Sequence, residues 1–427
     1  MKMNKFDFKF NYHVTTLENG LKVIIIEKPL FSKVSAFFTT NYGSIDTNLV
    51  DLDTKEEKSY PEGITHFLEH IVFHIDDDCD ATILFEELGA EVNAYTSKTQ
   101  TTYYFNTVSN VDECLNILLD FVQTPYFSDK IVDNERKIIE QEINMINDNF
   151  DEQLSKGLLE NIFDVCPLKI EIGGSTKSIQ DISKELLSEA YEYFYHPKNM
   201  TLVVIGGVNK DHIIEVIKEN QSKKEFKKLP RLQIIYPEEQ VNVVNGFTCD
   251  YKDLALPKTS IGLKLNLNHL DNNEFFKTTF SLGMLMNYYF QYTGVFYNIL
   301  EKQKLMNDSF NYVCAFYKIA QYIEFSIDIL EVDKFNLEFK NLLLKIKEDK
   351  IDNDKFIKIK NKFYAGFIHG LNNYEYIKNI FEEYLHKNIT PVEYLDIITN
   401  LSIEDLEGVK KYINEDCISI NTFYKKK

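Results

Sequence analysis

His66-Phe67-Leu68-Glu69-His70 is the stretch on which the reading of this chain turns. It follows Pro61-Glu62-Gly63, a run of turn residues, and lies in a segment from Ile64 whose apolar spacing is helical. On a helix, residues four apart share a face, so both imidazoles can reach one metal ion, with Glu69 beside them. A catalytic zinc ion takes three protein ligands and keeps one place for water, and a nearby carboxylate can take the proton from that water as it attacks a carbonyl. The order HxxEH inverts the commoner HExxH yet presents the same three groups. His74 continues the spacing after His70, but near a helix end it reads as a packed or solvated side chain rather than a ligand.

A third ligand has to come from elsewhere. The spacing predicts a helix from Ser128 to Asn149, with Ile131, Glu135, Ile138, Glu142 and Met145 three and four apart, which sets two carboxylates on its apolar face. A buried carboxylate is costly without a partner, and a metal ion or a neighbouring cation would supply one. Glutamates at the stripe's edge, paired with lysines, fit the same pattern.

Upstream, Tyr12 to Thr40 reads as a hairpin, with Asn19-Gly20 as a two-residue turn and a Val- and Ile-rich arm from Leu21 to Glu27. Asp46 to Tyr60 is charged and loop-like. Downstream, Glu91 to Ser97 and Thr101 to Ser109 read as strands and Val111 to Gln123 as a helix. Ser183 reads as the N-cap of a helix reaching Tyr195, and Met200 to Ile205 as a closing strand. The basic, polar stretch ending Leu229-Pro230-Arg231 is linker-like, and the order of strands then long helices recurs from Gln240 to Ile418–Phe423. A chain of 427 residues exceeds what one core usually serves. The expectation is two similar α+β domains, each a mostly antiparallel sheet with helices on one face. Residues 1–220 would hold the histidines, 221–232 would link, and 233–427 would form the second domain.

Apolar residues make up 44% and aromatics 14%, enough for packed cores. The net charge of −19 repels phosphate backbones and anionic lipid, which argues against nucleic acid and membrane partners. The start, Met1 to Phe10, alternates polar and aromatic residues without a signal peptide's apolar core, and no run reaches the roughly 20 apolar residues of a membrane helix. Cys79, Cys114, Cys166, Cys249, Cys314 and Cys417 stand far apart with no CxxC pair, which fits free thiols in a cytoplasmic protein. Gly173-Gly174-Ser175 lacks the frame of a phosphate loop and reads as a surface turn.

Three blocks stand in order: His66-Phe67-Leu68-Glu69-His70; then Asn93-Ala94-Tyr95-Thr96-Ser97 followed by Thr102-Tyr103-Tyr104; then Glu135-Arg136 with Glu142-Ile143. Together they resemble the signature of the insulinase, pitrilysin and mitochondrial processing peptidase family, over about Thr15 to Val208. The resemblance implies that His66, His70 and Glu142 bind Zn2+, that Glu69 is the general base and that Glu135 is a supporting catalytic acid. Asn93, Ala94 and Tyr95 would lie on the edge strand that receives an extended peptide by strand addition. The interval from His70 to Glu142 is shorter than is usual in the family, so Glu135 and Glu140 stay open as alternatives to Glu142.

Members of that family carry an Arg and a Tyr seven residues apart in the second half, where they polarise the scissile carbonyl. The best match here runs from Leu300 to Asn307, and those two residues occupy the places. Such groups commonly contribute several kcal/mol. The chain therefore resembles the zinc-carrying member of bacterial pairs whose sister chain, without the zinc motif, supplies Arg and Tyr. The expected activity is zinc-dependent hydrolysis of unfolded or leader peptides by a heterodimer. A non-catalytic assembly subunit and a peptide-binding escort are the alternatives, and the intact Glu69 argues against a purely structural zinc site.

Overall fold

The computed structural model describes residues 11–386 and 389–426, with no side chains described for 382–388; the N-terminal stretch 1–10, read above for a signal peptide, lies outside them. In chain order the elements are β1 (Tyr12–Thr16), β2 (Lys22–Glu27), β3 (Val34–Thr40), β4 (Asn48–Asp51), β5 (Glu57–Ser59), α1 (Ile64–Val72), α2 (Ala81–Glu87), β6 (Glu91–Thr96) and β7 (Thr101–Thr107). Then come α3 (Val111–Gln123), α4 (Asp129–Asp148), α5 (Phe150–Ile162), α6 (Lys184–Phe194), β8 (Met200–Gly206), α7 (Lys210–Ser222) and β9 (Leu232–Ile234). The remainder holds β10 (Phe247–Lys252), β11 (Lys258–Leu265), α8 (Asn272–Phe290), α9 (Val295–Lys302), β12 (Asn311–Phe316), β13 (Gln321–Asp328), α10 (Val332–Lys345), α11 (Asn353–Gly370), α12 (Tyr374–His386), α13 (Pro391–Asn400), α14 (Ile403–Val409) and β14 (Ile418–Lys425).

These elements form two compact units, each assembled from three segments of chain. The first takes the described residues up to Met145, Ile170–Ile235 and Tyr374–Glu383; the second takes Ile146–Lys169, Tyr236–Asn373 and the chain from Tyr384 on. The stretch 221–232 lies within the first unit, and the chain crosses between units at several points rather than at one.

In the first unit a six-stranded sheet runs β1-β2-β8-β3-β7-β6, antiparallel except for the parallel pair β2–β8. The second unit holds a five-stranded sheet, β10-β14-β11-β13-β12, likewise antiparallel except for β10–β14. Residues alternate in period two between the faces of a strand. Val23, Ile25, Ala36, Phe38, Leu202 and Val204 accordingly face the core shared with α1, α3 and α6. In the second unit Ile261, Leu263 and Leu265 face α8 and α10 in the same way. Each sheet also meets one helix on its other face. Gly262 of β11 lies against Leu158 and Ile162 of α5, and Tyr95 of β6 lies against Lys378 of α12.

Local signals placed several elements as expected. Ser183 caps α6, its side chain accepting from the Leu186 N–H, and α3 spans the predicted residues. Other readings change. The β1–β2 hairpin exists, but its loop runs from Leu17 to Leu21, with Gly20 at φ 93° and the Asn19 side chain accepting from the Leu21 N–H. The stretch 46–60 is no loop: β4 and β5 pair there and accept β9, which starts at the last residue of the expected linker, as a third strand. Among the described residues no helix is long and apolar enough to cross a membrane, and all six cysteines are free.

Candidate metal centre

Helix α1 begins at Gly63, whose φ of 88° belongs to the left-handed region that favours glycine. A Cβ at Gly63 would stand 2.4 Å from the Gly173 carbonyl oxygen, and one at Gly174, φ 75°, would stand 2.5 Å from the Glu62 carbonyl oxygen. Two backbones thus touch where the helix starts. This corrects the reading of 173–175 as a surface turn: Gly173 and Gly174 are buried, and the position of a Cβ on Gly173 lies 3.6 Å from His66 Nδ1. Ile64, Phe67, Leu68 and Ile71 bury completely in the core, at about 2 kcal/mol for each such side chain. That anchoring turns His66, Glu69 and His70, each only partly buried, away from the core.

Helix α4 supplies the carboxylates, with a different phase from that read in the sequence. Its buried face is Ile131, Val132, Glu135, Ile139 and Ile143, while Ile138 is 44% and Met145 71% exposed. Sequence spacing alone could not choose between two stripes one residue apart on the helix. Arg136 holds the helix in this rotation, donating from Nε to the Ile179 carbonyl at 3.2 Å and from a terminal nitrogen to the Ile182 carbonyl at 2.8 Å. Glu142 falls at the rim of the buried face and Glu135 deep within it.

The result is convergence. His66, His70 and Glu142 offer three donor atoms that lie within 4.8 Å of one another. Glu142 Oε2 is 3.4 Å from His70 Nε2 and 3.9 Å from His66 Nε2, and the two imidazole rings stand 4.7 Å apart. Tetrahedral zinc with bonds of about 2.1 Å sets its donors about 3.4 Å apart, so two imidazoles and one carboxylate fit zinc in both chemistry and spacing. Burial, with the neighbouring His70 adding to it, holds the His66 imidazole down at about 4, neutral as a ligand must be. Burial also pushes His70 down, but its bond to Glu135 and the charges of Glu142 and Glu69 outweigh that and raise it. That net negative potential is what a divalent cation would meet.

Glu135 belongs to the site without joining the donor set. Its Oε2 lies 3.2 Å from His70 Nδ1 and its Oε1 2.9 Å from His74 Nε2. Burial raises the Glu135 carboxyl, yet the two histidines win and hold it at about 2. A carboxylate on the far nitrogen of a metal-binding imidazole fixes the ring's tautomer and orientation. His74, read as a bystander, is thus the second imidazole on that carboxylate. His66 has no counterpart: its Nδ1 is buried with no hydrogen-bond partner among the described residues.

Glu69 stands close enough to feel the charges of His70 and Glu142. Burial raises its pKa, partly offset by the Thr96 hydroxyl, which donates to Oε2 at 2.6 Å. Thr96 ends β6, the edge strand, whose outer side has no strand partner among the described residues. On that strand Asn93 is exposed, Ala94 packs on the core and Tyr95 faces the opposite side. The reading missed Thr96 although it stood inside the second block; period two from Ala94 would have turned it towards α1. Leu300 and Asn307 lie in the second unit. Leu300 is fully buried, and the Asn307 amide donates to the Asp328 carbonyl.

The model of the insulinase peptidase family M16 matches residues 50–176, the stretch holding both histidines and Glu142, and that of the M16 inactive domain matches residues 181–363. A Bacillus subtilis protein, the uncharacterized zinc protease YmfH, is 35% identical over 398 residues, covering 93% of this chain and 92% of that one. The human mitochondrial-processing peptidase subunit beta is 29% identical over 209 residues, covering 48% of this chain and 40% of the human one. A crystal structure of an M16-like peptidase from Alicyclobacillus acidocaldarius superposes with a TM-score of 0.93 at 28% identity, over 99% of this chain and all of the other. A Helicobacter pylori protease shares the fold, with a TM-score of 0.83 at 19% identity, over 97% of this chain and all of that one. By sequence and by architecture, this chain belongs to the insulinase family of peptidases, M16.

Proposed function

We propose that the chain is a zinc-dependent endopeptidase for unfolded peptides, leader peptides among them, with His66, His70 and Glu142 as metal ligands and Glu69 as general base. The observation that carries this is the meeting of three donors from two helices with a fourth, raised-pKa carboxylate beside them. Zinc held there would supply a water acidic enough to ionise near neutral pH and a positive charge for the scissile carbonyl. Glu69 receives the proton of the attacking water and passes it to the leaving amine, a task suited to a carboxyl whose pKa is lifted towards the working range. Thr96 holds that carboxyl by one oxygen, and Glu135 fixes the His70 ring. The open edge of β6, at Asn93, Ala94 and Tyr95, receives the substrate as an added strand.

The reading assigns the remaining electrostatic help to a homologous partner chain that lacks the zinc motif and carries Arg and Tyr. Neither Leu300 nor Asn307 offers a cation or a phenol, which favours this arrangement, as does the naming of a mitochondrial relative as a subunit. The test is a peptide-cleavage assay of the chain alone and mixed with such a partner. The expected result is one zinc per chain and turnover only in the mixture. Full turnover by the isolated chain, undiminished by dilution, removes the partner; a protein purified without chelators that holds no zinc removes the whole reading. The same missing groups favour a second reading, a non-catalytic peptide-binding or assembly subunit. Peptide binding by the zinc-loaded mixture without any cleavage would select it.

A further inference from the structure

Edge strand β6 is gripped on both faces. Towards α1, Thr96 is tied to Glu69; on the opposite face the preceding residue, Tyr95, meets Lys378 of α12. Lys378 is fully buried, its Nζ donating to Tyr95 Oη at 2.8 Å and to Thr102 Oγ1 at 3.2 Å, and lying 5.3 Å from the centre of the Tyr95 ring. Tyr95 and Thr102 are direct partners in the β6–β7 register, so one ammonium spans that rung. The helix is itself fastened: Phe381 packs edge-on against Tyr12 with centroids 4.8 Å apart, and Tyr374 Oη donates to the Lys33 carbonyl.

We propose that Lys378 is a positioning residue for peptide capture, clamping the Tyr95–Thr102 rung so that β6 presents its open edge at the place Glu69 requires. Binding by strand addition uses main-chain hydrogen bonds, so it depends on the edge being straight and still beforehand. An edge strand paired on one side only is prone to local opening, and a charge-assisted clamp opposes that. The effect falls on binding, because Lys378 and Glu69 lie on opposite faces of the strand. This rests on reading β6 as the substrate strand.

The experiment uses the full chain, with its partner where turnover requires one, and an unstructured peptide as probe. Lys378→Met keeps length and removes the charge; Tyr95→Phe removes only the hydroxyl and serves where the first variant fails to fold. Expected are a KM raised about tenfold, the equivalent of one charge-assisted hydrogen bond, a kcat within about twofold, unchanged zinc content, and faster amide exchange across residues 91–96 than across α1. The double variant should be no worse than Lys378→Met alone. An unchanged KM, a kcat falling in step with KM, or additive effects would overturn the proposal. If the wild type cleaves nothing, the peptidase reading fails, and exchange at 91–96 still decides: faster in either variant upholds the clamp, unchanged rejects it.

Discussion

Replacing Thr96 by Val keeps the shape and the β-branch of the side chain and deletes the hydroxyl's 2.6 Å bond to Glu69 Oε2, along with its longer 3.3 Å contact to Thr101 Oγ1. A hydrogen bond to a charged group contributes about 1.5 to 3 kcal/mol. Because it favours the ionised carboxyl, its loss raises the Glu69 pKa further above the ordinary value. The base must be ionised to work, so the acid limb of the kcat/KM profile moves to higher pH. Below that limb the rate should fall about ten- to a hundredfold, the rate equivalent of that free energy. On the alkaline plateau, where Glu69 is ionised in both proteins, the rate should be nearly unchanged. A bound cation shifts both profiles together, so the difference survives. The assay is a pH series of kcat/KM on one peptide, with zinc content measured at each pH. An equal loss at every pH, with zinc retained, would falsify the account, because it would mean that Thr96 acts by placement and not through the ionisation of Glu69.

Glu135→Gln keeps size but loses charge, and should weaken zinc binding about ten- to a hundredfold in chelator competition; unchanged affinity would mean that His70 is oriented by something else. Gly174→Ala forces a Cβ to within 2.5 Å of the Glu62 carbonyl at φ 75° and should cost at least about 1 to 2 kcal/mol in thermal unfolding, whereas Gly173→Ala meets only contacts of 3.5 Å or more and should be tolerated. In the second unit the side chains of Lys264 and Glu239, 4% and 6% exposed, pair at 2.9 Å, and Glu239 also accepts from the N–H groups of Asp164, Val165 and Cys166. Burial pushes the Glu239 carboxyl up, but Lys264 and those N–H groups prevail and lower it. A lowered carboxyl contributes stability that is present above its ordinary value of 4.5 and is lost as pH falls through the depressed one. Glu239→Gln should therefore cost about 3 kcal/mol near neutrality and flatten the acid end of the unfolding curve; a mutant that kept the wild-type acid slope would place that slope elsewhere.

What was legible in the sequence was local. The turn at Pro61-Glu62-Gly63, the helical spacing after it and the cap at Ser183 all act within a few residues, and α1, α3 and α6 stand where they were expected. His66, Glu69 and His70 were readable together because one helix turn carries all three. Glu142 needed the spacing of α4 and a family resemblance, since the rotation of that helix is set by Arg136 reaching residues 179 and 182. Everything that depends on distant partners was hidden. The strands in 46–60 form against β9, about 180 residues on; His74 acquires its role only from Glu135; the glycines at 63 and 174 explain each other only once they touch. Lys378 drew no reading from the sequence, because the partners that give it a role, Tyr95 and Thr102, stand far upstream in the chain.

The first unit is completed by Tyr374–Glu383, a strip of chain made long after the rest of it. A ribosome adding 5 to 20 residues each second needs roughly ten to thirty seconds to pass from the end of α7 to that strip. Throughout that delay the nascent sheet lacks Lys378 against Tyr95 and Phe381 against Tyr12, both buried in the finished protein. Cutting the gene at the polar stretch before β9 would make the delay permanent, so a fragment ending there should come off the ribosome sticky and dependent on chaperones, even though it encodes His66, His70 and Glu142, the three side chains proposed to hold zinc.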